Sequence, residues 1–169
     1  NREFLILSRI SKSKNLEVAI DGFLKSKFSK HNISIIGDAV TKKDSEYKNK
    51  LSKKYESKKN VIFLGKIHPN KIKQIIKNFD YFINSSDFEG FPNSVVEAIS
   101  SGIPVIASQS HGGINEIIKN KKFGLIYNND LELEIILKKI IDKKISFKKN
   151  KILFKNHLKT FSVNNNVKK

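Results

Sequence analysis

The chain has no cysteine, no methionine and no tryptophan, and only three prolines and eight glycines in 169 residues. Without cysteine there is no disulfide framework, no thiolate nucleophile and no zinc–thiolate site. That composition fits a reducing compartment, and a cytoplasmic protein is the expectation. The missing methionine includes the initiator, so a fragment or excised domain of something longer is expected. The opening residues, Asn1-Arg2-Glu3-Phe4-Leu5-Ile6-Leu7, read as a strand and not as a signal peptide. No apolar run approaches the roughly 20 residues of a membrane span. Histidine occurs only at His31, His68, His111 and His157, with no metal-ligand spacing.

Negative charge is also scarce. Asp and Glu total 16 against 33 Lys and Arg, a formal net charge of +17. Such a surface attracts polyanions: nucleic acid, acidic lipid or phosphorylated small molecules. Yet arginine appears only at Arg2 and Arg9. Proteins that read bases or clamp phosphates by geometry favour arginine for its planar fork. The lysines are dispersed, and they accompany many isoleucines and asparagines. Compositional drift on a solvated surface explains that pattern without a partner. Peripheral contact with an anionic membrane is the next reading, and a basic nucleic-acid-binding module without catalytic activity is the alternative function.

What is present is an alternation. Apolar strand signals lie at residues 4–7, 33–37, 61–65, 81–84, 104–107 and 124–127. Helical patterns lie between and after them, at 15–28, 43–58, 69–78, 92–101, 113–119 and 131–143. This predicts an α/β, Rossmann-like parallel sheet of about six strands with helices on both faces. Residues 1–145 form the predicted domain; from Ser146 a Lys/Asn-rich stretch to Lys169 is expected as its helical tail. Ligands of such sheets bind outside the carboxyl ends of the strands. Those ends carry Ser8-Arg9, Gly37-Asp38, Gly65-Lys66, Ser85-Ser86 and Ser108, a phosphate-friendly rim.

Several motifs are missing. No G-x-G-x-x-G follows the first strand, and no G-x-x-x-x-G-K-[ST] occurs. No Asp-x-Asp pair follows a strand to clamp a magnesium diphosphate. None of the strand-end serines has the glycines of a nucleophile elbow. Phe23, Phe28, Phe79, Phe82 and Phe154 fit core spacing better than a base-stacking platform.

The segment "SSDFEGFPNSVVEAISSGIPV" holds two acids around a helix start. Pro92 suits the first turn and Gly102 the stop. Asn93 and Glu97 are four apart and share one face, with Val95, Val96 and Ile99 on the other. Side chains tilt toward the helix N-terminus, so Glu97 leans back toward Glu89. A helix N-terminus suits a phosphate. Carboxylates on either side suit the two diols of a sugar nucleotide. Read as residues alone, the same acids are equally dipole-favoured surface groups.

"EGFPNSVVEAISSGIPVIAS" resembles the E-x7-E segment of retaining glycosyltransferases of the GT-B fold, family 4. "LSRISKSKN", "ISIIGDA", "VIFLGKI" and "GLIYNND" are similar to four further stretches of that family, in the same order. The resemblance covers most of the chain and implies the C-terminal, donor-binding half, with the acceptor domain absent. It implies that Arg9, Lys14 and Glu89 are catalytic: the cations on the diphosphate and leaving nucleotide, Glu89 on donor-sugar hydroxyls. It implies donor-binding roles for Gly37, Gly65, Lys66, Ile67, Gly90, Phe91, Asn93 and Glu97. Gly65, Lys66 and Ile67 would line the base pocket, Gly37 would let the diphosphate approach, and Glu97 would hold the ribose. No metal and no cofactor beyond the nucleotide-sugar substrate is implied, and no nucleic acid. The acceptor, a glycan or lipid-linked sugar, would come through the missing domain. Three positions depart from the family pattern: Ala39 and Asn15 stand where glycine is usual, and Pro92 replaces the glycine of the commoner E-G-F-G form. His111, before two glycines, is read either as a loop residue or as a neighbour of the diphosphate.

Overall fold

The computed structural model describes residues 2–26, 30–118, 122–147 and 156. In chain order the strands are β1 Glu3–Leu7, β2 Asn32–Ile36, β3 Val61–Gly65, β4 Tyr81–Asn84, β5 Phe88–Glu89, β6 Val105–Ser108, β7 His111–Gly112 and β8 Gly124–Tyr127. The helices are α1 Leu16–Lys25, α2 Lys42–Tyr55, α3 Pro69–Ile75, α4 Asn93–Ser100, α5 Ile114–Ile117 and α6 Asp130–Ile141. Six strands form one parallel sheet in the order β3-β2-β1-β4-β6-β8. The expected α/β architecture is therefore the one observed.

Alternation along each strand sends side chains to two cores. Phe4 and Ile6 of β1, Tyr81 and Ile83 of β4 and Ile106 of β6 meet α1, α2 and α6 on one face. Leu5, Phe82, Val105 and Ala107 meet α3, α4 and α5 on the other. Phe4 packs edge-on to Phe23 of α1, with ring centroids 5.5 Å apart. Both faces being covered explains why these strands read as continuous apolar runs and not as alternating ones.

Local chemistry sets the helix boundaries. Thr41 caps α2 in a reciprocal capping box with Asp44. Pro69 opens α3 at a position that needs no N–H. The expected helix 69–78 is α3 followed by a 3-10 turn at Ile76–Asn78. Pro92 precedes α4 instead of joining it, and α1 ends at Lys25. Apart from 146, 147 and 156, the expected helical tail lies outside the described residues, as does Phe28. Phe147 sits edge-on to Tyr81 at 6.2 Å and packs against the core.

Two strands went unpredicted. β5 and β7 pair in parallel, Phe88 with His111 and Glu89 with Gly112, as a separate two-stranded sheet. Glu89, ahead of the α4 start, is thus held in a strand. Strand order reverses between β1 and β4, and a crevice opens there beyond the strand ends.

Candidate functional site

The crevice is a cleft of about 500 Å³. Its walls come from the end of β1, the β2–α2 turn, the β3–α3 turn, β5 and the start of α4. Arg9, Lys14, Gly37, Lys66, Ile67, Glu89, Phe91, Asn93 and Glu97 all line it. Nine of the eleven residues singled out from sequence therefore converge on one space. Gly65 and Gly90 are not on the wall. The Gly65 carbonyl accepts the Gly37 N–H at 2.9 Å, tying the ends of β2 and β3 together.

Lys14 and Glu89 meet directly. Lys14 Nζ donates to Glu89 Oε1 at 2.8 Å, with side-chain exposures of 18% and 13%. The same oxygen accepts from Ser86 Oγ at 2.6 Å and from Asn84 Nδ2 at 3.3 Å. Burial alone would push the Glu89 carboxyl up. The hydrogen bonds from Lys14 and Ser86, the Lys14 charge and the Asn84 amide outweigh it and hold Glu89 below the ordinary carboxylate range. Glu89 is an anion in a half-buried setting, with its charge balanced.

Glu97 is the opposite case. Its carboxylate has no hydrogen bond or ion pair among the described residues, and burial pushes it above its usual range. Arg9 is exposed and makes no salt bridge among those residues. An unpaired acid and an unpaired guanidinium lining one cleft are groups available to a ligand. No side chain caps the start of α4, where Asn93 and Ser94 face the cleft. Uncapped N–H groups with a partial positive charge suit an anion. Phe91 and Val40, 52% and 72% exposed, line the same cleft.

Gly37 is required by the chain's own packing as well. At φ +144° its Cβ position falls 1.8 Å from the Ser8 carbonyl oxygen. The side chain is excluded by this chain's own backbone, before any ligand arrives. Two departures from the family pattern also resolve. Asn15 adopts φ 44°, ψ 44°, the left-handed region that asparagine tolerates, and its amide bonds Asp87. Ala39 is not at positive φ, so glycine is not needed there. Asp38 accepts the Ala39 N–H at 2.8 Å and Lys48 Nζ at 2.7 Å.

Sequence reasoning missed Asn84. It reads as the last residue of a buried strand, and its only signal is a polar amide closing an apolar run. Ser86 was noticed only as a strand-end hydroxyl. His111 lies in β7. Among the described residues no group of three or more His, Asp or Glu gathers as metal ligands would. No helix among them is long and apolar enough to cross a membrane.

A cleft at the point where a parallel sheet reverses its strand order belongs to the Rossmann-like class of α/β domain. Residues 1–158 match the family model of the glycosyl transferases group 1, and the chain belongs to that family. It is 31% identical over 137 residues to the alpha-monoglucosyldiacylglycerol synthase of Streptococcus pneumoniae, covering 78% of this chain and 30% of that enzyme. It is 36% identical over 108 residues to the UDP-Gal:alpha-D-GlcNAc-diphosphoundecaprenol alpha-1,3-galactosyltransferase of Escherichia coli, covering 60% and 27%. The C-terminal domain of the glycosyl transferase group 1 family protein LpcC from Francisella tularensis superposes with a TM-score of 0.76 at 26% identity, covering 94% of this chain and 85% of that one. The chain thus spans about a third or less of the curated relatives it matches, and most of a solved C-terminal domain.

Proposed function

We propose that this chain is the donor-binding half of a retaining glycosyltransferase that needs no metal. It would transfer a hexosyl group from a nucleotide sugar, with UDP the favoured nucleotide, to a glycan or lipid-linked acceptor in surface polysaccharide synthesis. The observation that carries the reading is the cleft itself. Glu89 and Glu97 flank the uncapped start of α4, Lys14 bonds Glu89, and Arg9 lines the same cleft. Vicinal hydroxyls suit the two carboxylates, and a diphosphate suits the helix start and the cations.

In this reading Glu89 takes sugar hydroxyls and Glu97 the ribose diol. Lys66 and Ile67 border the base. Arg9 and Lys14 stabilise the charge that grows on the leaving diphosphate. The UDP preference and the lipid-linked acceptor draw support from the name of the E. coli relative. An acceptor domain outside this chain would complete the site, so the chain alone binds donor weakly and does not turn over. The lysine surface would hold the intact enzyme peripherally at the cytoplasmic face of an anionic membrane.

The test is calorimetric titration of this chain with UDP, GDP and ADP, with and without EDTA, beside a Glu97→Ala control. Saturable binding of one nucleotide, lost in the control and indifferent to EDTA, is the expected result. DNA binding with a steep salt slope that ignores Glu97→Ala would instead establish the nucleic-acid module.

A further inference from the structure

We propose that Asn84 and Ser86 are positioning residues for Glu89, holding one carboxylate oxygen so that the other alone receives a hydroxyl of the transferred sugar. The inference rests on the donor-site reading above. It begins with an asymmetry. Every hydrogen bond that reaches the Glu89 carboxylate among the described residues lands on Oε1: Lys14 at 2.8 Å, Ser86 at 2.6 Å and Asn84 at 3.3 Å. A carboxylate oxygen offers about two lone-pair directions, so three donors saturate Oε1. Oε2 keeps its full acceptor capacity.

The two neutral donors are themselves fixed. Asn84 is 4% exposed and Ser86 2%. Asn84 Oδ1 accepts the Ser86 N–H at 3.2 Å, so the two orient each other. The Asn84 carbonyl accepts the buried Tyr127 hydroxyl at 3.2 Å, and the Ser86 carbonyl accepts Ser108 Oγ at 2.6 Å. Strands β4, β6 and β8 therefore all contribute to the support. Below Glu89, the β5–β7 pairing fixes its backbone. This is a side chain held from several sides, as a precisely aimed acceptor must be.

The lysine and the neutral pair have separable duties. Lys14 is a cation that, in the donor-site reading, has a second attraction, the donor's diphosphate. Asn84 and Ser86 have no such competitor. They keep Glu89 aimed when Lys14 is shared with the ligand, and Glu89 stays ionised because their donors favour the anion.

The experiment has two arms, both on this chain, with Ser86→Ala as the variant and Ser86→Thr as the conservative rescue. Thermal melts confirm that each folds. In the first arm the Glu89 carboxyl is titrated by carbon-detected NMR without ligand. Its midpoint is expected to rise in Ser86→Ala and to return toward the native value in Ser86→Thr; an unmoved midpoint overturns the proposal. In the second arm UDP, UDP-glucose and UDP-galactose are titrated calorimetrically. Ser86→Ala is expected to weaken the preferred UDP-sugar about tenfold while leaving UDP within about twofold. Equal losses for UDP and UDP-sugar, or a native chain that binds UDP and both sugars alike, would overturn it. A native chain that binds no nucleotide would sink the donor-site reading itself, and the first arm would still decide whether Ser86 holds Glu89.

Discussion

Two glutamates of one motif have opposite environments. Glu89 is paired, hydrogen-bonded and depressed; Glu97 is unpaired and raised. The sign matters for stability. An acid whose folded value lies above its unfolded one costs stability once it ionises, and the cost vanishes when both states are protonated. Glu97→Gln is therefore expected to stabilise the fold slightly at pH 7, by no more than about 0.5 kcal/mol, seen as a small rise in melting temperature, and to change nothing near pH 3. The same variant should lose nucleotide binding. Melts at the two pH values and one titration check it; a destabilised Glu97→Gln protein at pH 7 would show that the carboxylate has a structural partner. Spacing placed Asn93 and Glu97 on one face because a helical period is local. It could not distinguish the two acids, since Lys14 is 75 residues from Glu89 in sequence.

At the scale of elements, the six main strands and their helices were legible because each is a local period with local punctuation. The α3 helix opens at Pro69, the first residue of the expected 69–78 pattern, whereas the Thr41–Asp44 capping box of α2 emerged only with the structure. β5 and β7 were not legible: two-residue strands carry no period, and their partner is set by the fold. The close approach of the β1 and β2 ends was half legible. The glycine was visible, but its cause, the Ser8 carbonyl, was not. Gly37→Ala is expected to cost about 3 kcal/mol or more, because it combines a rare backbone angle with a backbone collision. Urea unfolding measures this. A loss below about 1 kcal/mol, the ordinary effect of a point change, would mean the strand ends can part cheaply.

Across the whole molecule the charge of +17 works against compactness. Its ion pairs are few among the described residues, and most are exposed ones such as Lys54 with Glu17 and Asp21. Screening should therefore help the fold. Raising salt from about 0.02 M to 0.5 M shrinks the Debye length several-fold. The melting temperature is expected to rise over that range, while binding to a generic polyanion such as heparin collapses. A falling melting temperature would mean that attractive pairs outweigh the repulsion. By itself, the sequence determined the layer architecture and the residues at the strand ends, which follow from hydrophobic period and turn chemistry acting over a few neighbours; most of the cleft-lining residues were legible only through the resemblance of its motifs to a family. Only the tertiary structure decided which acid is paired, why Gly37 is glycine, and that Asn84 and Ser86 stand behind Glu89. Those facts depend on where separate segments meet, and parallel β4, β6 and β8 bring together residues that no local signal connects.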